Sequence, residues 1–308
     1  SLVAHTQSSM LARSLVRPLR PACGAIRRLV DVPLGRSPTR PDPAGARQTD
    51  AVLYEVASGV ATITLNQPNN KNALSFELVD AVGDYLAAAQ ADESVRAILL
   101  TNNGNTFCAG ADLKGGPPKE APRHTLVDIL DDIVTSPKPV IGRIAGHCTG
   151  GGVGLAAAAD ISIVSDDALI GFTEVRLGVC PAVISVVCLP KLRRADASEL
   201  FLSGQRITAA RAAQVGLVNY VVPSAELDAK VDAIVGKVVR GGPNALAASK
   251  QLVAKVPQMG REDAFDWTAT LSHSLFKSAE AREGIGAFKE RRDASWVPEE
   301  RKVGTGRA

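Results

Sequence analysis

The stretch VIGRIAGHCTGGGVGLAAAADISIV, residues 140–164, carries the plan of the chain. Val140 to Ile144 reads as a strand, and Pro137 and Pro139 stop the helical pattern before it. Between Ala145 and Gly154 a glycine cluster opens an Ala-rich helix that ends near Asp160. Ile161 to Val164 is strand again. Moving outward, the same alternation between a period of two and one of about 3.6 residues runs on from residue 50, the signature of an α/β domain. Val52, Tyr54 and Val56 alternate with other residues, and Val60 to Leu65 follows Ser58-Gly59, which reads as a β-hairpin. Ser75 suits the N-cap of a helix whose Leu78, Val79, Val82 and Leu86 share one face. Val95 to Thr101 is the next strand, and Leu126, Ile129, Leu130 and Ile133 form one helical stripe. After Glu174 helices dominate: 195–202, 209–215, 225–239, 245–253 and one from about Glu262. The expected organisation is a leader at 1–49, a core at 50–200 and a helical region at 201–308.

Composition excludes several classes of function. With 45% hydrophobic residues and 4% aromatic, the core rests on Ala, Val, Leu and Ile, and a disordered chain is ruled out. The net charge of +3 divides unevenly: residues 1–50 hold eight Arg, no Lys and three Asp, leaving the other 258 at −2. That is not a basic domain seeking nucleic-acid phosphates. Asp160 breaks the best apolar run, Val153 to Val164, so no segment is long enough to span a bilayer. The five cysteines include no close CxxC pair, which argues against a disulfide scaffold or a metal site and for a reducing compartment. Residues 1–49 are broken by six prolines, so they read as a leader outside the fold. The expected compartment is the cytoplasm; because the leader is Arg-rich and poor in acid, a mitochondrial transit peptide and the matrix are the alternative.

Two glycine-rich segments follow strands: Thr106-Phe-Cys-Ala-Gly-Ala-Asp-Leu113, and Gly146-His-Cys-Thr-Gly-Gly-Gly-Val-Gly154 ahead of its helix. Glycines there let the backbone approach a ligand, and two such loops can aim N–H groups at one developing oxyanion. Close packing of helix on strand is the alternative for either loop alone. Neither fits a phosphate cradle, since no GKS or GKT follows. Glu174 stands among apolar neighbours, where burial raises a carboxyl pKa into the range of a proton carrier; pairing with Arg176 is the plainer alternative. His147 reads as structural and Cys108 and Cys148 as buried fillers. No serine sits in a nucleophile elbow, so a Ser-His-Asp triad has no place.

Six segments occur in an order that resembles the enoyl-CoA hydratase/isomerase (crotonase) family. They are Leu65-Asn-Gln-Pro; Asn72-Ala-Leu74; Phe107-Cys-Ala-Gly-Ala-Asp-Leu113; Pro139-Val-Ile with Gly150-Gly-Gly152; Ala158-Ala-Asp-Ile161; and Thr173-Glu-Val-Arg-Leu-Gly178. The resemblance runs from residue 51 to about 293 and ends in Arg282-Glu-Gly-Ile-Gly-Ala-Phe288. It implies a spiral of ββα turns with a C-terminal helical trimerisation region, assembled as a homotrimer or hexamer. It implies an acyl-CoA thioester as substrate, with no separate cofactor, because CoA is part of that substrate. Carried over residue by residue, the oxyanion donors are Ala111 and Gly151 and the catalytic carboxylate is Glu174. Ala109, Ala111, Asp112, Leu113, Lys114 and Gly151 would line the CoA, with Lys71 and Arg291 near its phosphates.

One position departs from the family pattern. The best-known hydratases carry a second glutamate four residues after the first of the three glycines, and Gly154 stands there. The sequence Thr173 to Ser185 is similar to a single-glutamate subgroup that includes bacterial methylglutaconyl-CoA hydratases. The resemblance therefore implies a hydratase adding water across a 2-enoyl-CoA double bond in fatty-acid or branched-chain metabolism, with Glu174 handling the proton. A Δ3,Δ2-enoyl-CoA isomerase needs only one shuttling base and is the alternative, as is a non-catalytic acyl-CoA-binding homologue.

Overall fold

The computed structural model describes residues 49–118 and 120–302, so the leader read at 1–49 lies, but for Thr49, outside the described residues. Strands β1 (Val52–Ala57) and β2 (Val60–Leu65) pair antiparallel. The turn between them has φ of 49° at Ser58 and 75° at Gly59, the primed turn that matches strand twist. Ser75 caps α1 (Phe76–Ala91), its side chain accepting the Leu78 N–H at 3.3 Å.

A repeating unit then begins. It runs β3 (Ala97–Asn102), β4 (Thr106–Cys108), α2 (Leu126–Thr135); then β5 (Val140–Ile144), β6 (His147–Thr149), α3 (Gly151–Ala158); then β7 (Ile161–Ser165), β8 (Leu169–Gly171) and, past a 3-10 turn, α4 (Ala182–Cys188). Each unit sends its long strand to one sheet and its short strand to another. The long strands, joined by the three-residue β10 (Tyr220–Val222), build a six-stranded sheet of order β1-β2-β3-β5-β7-β10, and the short ones, with β9 (Arg206–Thr208), a four-stranded sheet of order β4-β6-β8-β9. Successive turns pair in parallel within both sheets, and β1 and β9 close the two sheets antiparallel. This is a spiral of ββα turns.

The chain continues through α5 (Arg194–Ser203), β9 (Arg206–Thr208), α6 (Ala209–Gln214), β10 (Tyr220–Val222), α7 (Leu227–Val238), α8 (Pro243–Lys255), α9 (Arg261–Phe276) and α10 (Ala279–Glu290). The part after residue 200, read from sequence as helical, thus also supplies the last strand of each sheet. The whole second sheet escapes a reading by periodicity, because three residues are too few to display a period of two.

The large sheet is buried on both faces. Along β3, β5 and β7, Ile98, Val140, Ile144 and Val164 join the cluster under α1, α2 and α3, while their neighbours Ala97, Ile141 and Ile163 pack against Leu227, Val231 and Ile234 of α7. Alternate side chains serve opposite layers, so apolar residues stand on both faces of these strands and not only at every second position.

Candidate active site

The two glycine loops leave adjacent short strands, with Cys108 of β4 opposite Cys148 of β6. The first loop is tied to the turn before α1: Lys71 O accepts the Ala109 N–H at 3.0 Å and Gly110 O accepts the Leu74 N–H at 2.8 Å. The second loop reaches across through Thr149, whose hydroxyl donates to Ala109 O at 3.0 Å. Gly110 has φ +85°, and a Cβ there would stand 2.9 Å from Thr149 O and 3.2 Å from the Gly151 nitrogen. Only glycine lets the loops meet this closely. Gly151 opens α3, so its N–H has no partner within the helix. Among the described residues no protein acceptor takes the Ala111 or the Gly151 N–H. Two free donors on touching loops, one at a helix N-terminus, suit an oxyanion.

Glu174 belongs to a 3-10 helix, Thr173–Leu177, that follows β8. Its Oε1 lies 3.3 Å from where a Gly150 Cβ would stand, one residue before the donor Gly151. Its Oε2 is buried and has no hydrogen-bond partner. Burial pushes the carboxyl above its ordinary 4.5. Pairing with Arg176 does not occur; the hydrogen bond made by that guanidinium runs to Ser203 O at 3.5 Å.

The surrounding walls are apolar. Leu74 Cδ1 and Leu126 Cδ2 lie 2.4 and 3.4 Å from where a Gly151 Cβ would be. At Gly154 the corresponding neighbours are Ile184 Cγ2 at 2.4 Å and Leu130 Cδ1 at 3.7 Å. Ile184 therefore fills the space that a second side chain would need, and position 154 places no carboxylate near Glu174.

Asp112 closes a small turn, its Oδ1 accepting the Lys114 and Gly115 N–H groups at 3.0 Å and its Oδ2 facing Asn70 Nδ2 at 3.2 Å. Leu113 is 74% exposed just after the donor Ala111, and Lys71 and Lys114 are exposed near the same loop. Arg291 caps the far end of α10, and no hydrogen bond or ion pair links it to the loops. His147 Nδ1 accepts the Leu169 N–H at 3.1 Å, a structural bond. Cys108 and Cys148 are fully buried, and burial pushes the Cys108 thiol up to about 12, far from a nucleophile's range.

Two buried asparagines organise the loops and carry no signal of that role in the sequence. Asn102 Nδ2 donates to Ala145 O at 2.9 Å and its Oδ1 accepts the Ala145 N–H at 3.1 Å. Asn72, wholly buried at φ 49°, accepts the Gln67 N–H at 2.7 Å and donates to Thr106 O at 2.8 Å. Asn72→Ala orphans the Gln67 N–H and puts alanine in a left-handed conformation. It is expected to cost roughly 2 to 4 kcal/mol, read by urea unfolding.

The sequence pattern described as enoyl-CoA hydratase/isomerase matches residues 55–299. The chain belongs to the enoyl-CoA hydratase/isomerase family. It is 33% identical over 247 residues to a carnitinyl-CoA dehydratase of Escherichia coli, covering 77% of this chain and 94% of that one. It is 31% identical over 241 residues to a protein of Dictyostelium discoideum named probable enoyl-CoA hydratase, mitochondrial, covering 77% and 87% respectively. A solved enoyl-CoA hydratase of Mycobacterium smegmatis superposes with a TM-score of 0.73 at 32% identity, covering 80% of this chain and 98% of that one. As a member of the enoyl-CoA hydratase/isomerase family, the chain has the spiral of ββα turns described above. Position 154 is packed against Ile184.

Proposed function

We propose that the protein is an enoyl-CoA hydratase that works with one carboxylate. The observation that carries this reading is the buried, unpartnered Oε2 of Glu174 beside a pair of loops with two free N–H donors. In this reading the thioester oxygen accepts from the Ala111 and Gly151 N–H groups. Ionised Glu174 takes a proton from water as the water oxygen bonds to C3 and the C2=C3 electron pair moves into the thioester enolate. The same carboxyl then returns that proton to C2, so water is added and Glu174 ends ionised. Ala109, Asp112, Leu113 and Lys114 would lie along the CoA, with Lys71 and Arg291 for its phosphates. No resident metal or cofactor has a part in the scheme.

The apolar contact of Gly154 with Ile184 also favours a second reading, Δ3,Δ2 isomerisation by the same base. Incubation with 2-enoyl-CoA and 3-enoyl-CoA in heavy-oxygen water separates the two. Heavy oxygen in a 3-hydroxyacyl product is the expected result; double-bond migration without oxygen uptake assigns the isomerase. Hydration needs Glu174 ionised, so kcat/KM is expected to rise with pH through a value above 4.5 and then level off. A profile already flat around 4.5 contradicts that role.

We also infer a homotrimer or a hexamer. The 16-residue helix α9 buries none of its residues, and Phe265, Phe276 and Phe288 are each at least 69% exposed, an unpartnered apolar surface for a second copy. Sedimentation equilibrium reads the assembly. We place the protein in the cytoplasm, with the mitochondrial matrix as the alternative if residues 1–49 serve as a transit peptide; a fusion of that segment to a fluorescent protein distinguishes them. No helix among the described residues is long and apolar enough to cross a membrane.

A further inference from the structure

Between the donor loop and α2, the chain is clamped to α1 by a cluster outside the reacting centre. Asp80 Oδ1 accepts the backbone N–H groups of both Arg123 and His124 at 2.8 Å. One turn along α1, Asp84 holds their side chains: Arg123 Nη2 at 2.7 Å on Oδ2 and His124 Nε2 at 3.1 Å on Oδ1. The imidazole lies against bare backbone at Gly83, where a Cβ would be 2.4 Å from its Cγ. His124 and Asp84 are 4% and 5% exposed, so this is a buried cluster and not a surface ion pair.

The clamp ends where the site begins. Thr125 follows as the N-cap of α2, in a reciprocal capping box with Asp128. The first residue of that helix is Leu126, whose Cδ2 packs beside Gly151, and one turn on Leu130 packs beside Gly154. The side chains that wall the oxyanion donor thus hang from a helix whose start is set by Asp80 and Asp84.

We propose that Asp84 is a positioning residue that, through Arg123 and His124, fixes Leu126 over the Gly151 donor and so sets how much room an acyl chain has beside that donor. The inference rests on reading the loops as a thioester site. Turnover by the unaltered chain tests that reading, whereas the ratio of variant to parent tests the clamp.

The experiment measures kcat, KM and thioester affinity for four-carbon and ten-carbon substrates in the full chain. Asp84→Asn is expected to lower kcat by about 10-fold to 100-fold, since small misplacements near a reacting group cost on that order. Binding of CoA itself should stay within about twofold, while the short-to-long ratio of kcat/KM shifts by about tenfold toward the long chain. Arg123→Ala, at a partly exposed side chain, should shift the ratio the same way and Arg123→Lys should restore it; Leu126→Ala should reproduce the shift with the clamp intact. If Asp84→Asn does not fold, the Arg123 and Leu126 variants carry the test. If the parent turns nothing over, calorimetric affinities for four- and ten-carbon acyl-CoA read the same ratio. Folded variants with a lowered melting temperature but the parent's ratio would show a merely structural cluster and overturn the proposal.

Discussion

Replacing Glu174 with Gln is expected to leave acyl-CoA binding intact and to lower turnover by about 100-fold to 10,000-fold, the usual worth of a general base. Gln matches Glu in size, and the side chain faces Gly150 without an ion pair to lose, so the change removes the proton acceptor and little else. The same variant should be more stable than its parent at neutral pH. Because burial raises the folded-state pKa above 4.5, the folded protein holds its proton where the unfolded chain has released it, and stability falls as pH rises through that interval. Gln carries no such penalty. Its melting temperature should exceed the parent's at pH 8, with the gap closing well below pH 4.5. A variant that keeps full turnover on a substrate of the parent removes Glu174 from the mechanism. One that gains no stability at neutral pH argues that its carboxylate is better solvated than the geometry indicates.

The second large effect is expected at Gly110, which touches no proton. Gly110→Ala places a methyl 2.9 Å from Thr149 O and 3.2 Å from the Gly151 nitrogen, on a residue whose φ of +85° suits glycine alone. Relief requires the two loops to part, which withdraws one N–H from the oxygen it would hold. Loss of one such donor is worth about 100-fold to 1,000-fold in kcat. Single-turnover kinetics alongside CoA-ester affinity check this: kcat should collapse while affinity for the CoA portion changes little. Equal losses in both would mean that Gly110 supports binding as a whole and not the oxyanion.

Much of the large sheet is legible because its central strands carry apolar residues on both faces, as at Val140, Ile141 and Ile144 and at Ile161, Ile163 and Val164. The short sheet is not. His147 to Thr149 and Thr106 to Cys108 contain no repeat of any period, and what makes them strands is the neighbour beside them. The glycine loops announced close backbone approach, but their meeting at Gly110 and Gly151 depends on a register that no local pattern encodes. Glu174 stood out by its apolar setting; the absence of Arg176 from its side required coordinates. Asn72 stands out in the sequence only as part of Asn72-Ala-Leu74, and an asparagine that bonds backbone 34 residues away looks in sequence like any turn asparagine.

The ladder between Cys108 and Cys148 fixes the spacing of the two donor loops, whereas Arg123 and His124, just ahead of α2, are tied down on α1. The two glycine loops and the start of α2 are thus anchored to different parts of the molecule. Exchanges in the chain just ahead of Arg123 therefore leave the pairing of β4 with β6 untouched, and the seam between the loops is inherited independently of what precedes the clamp.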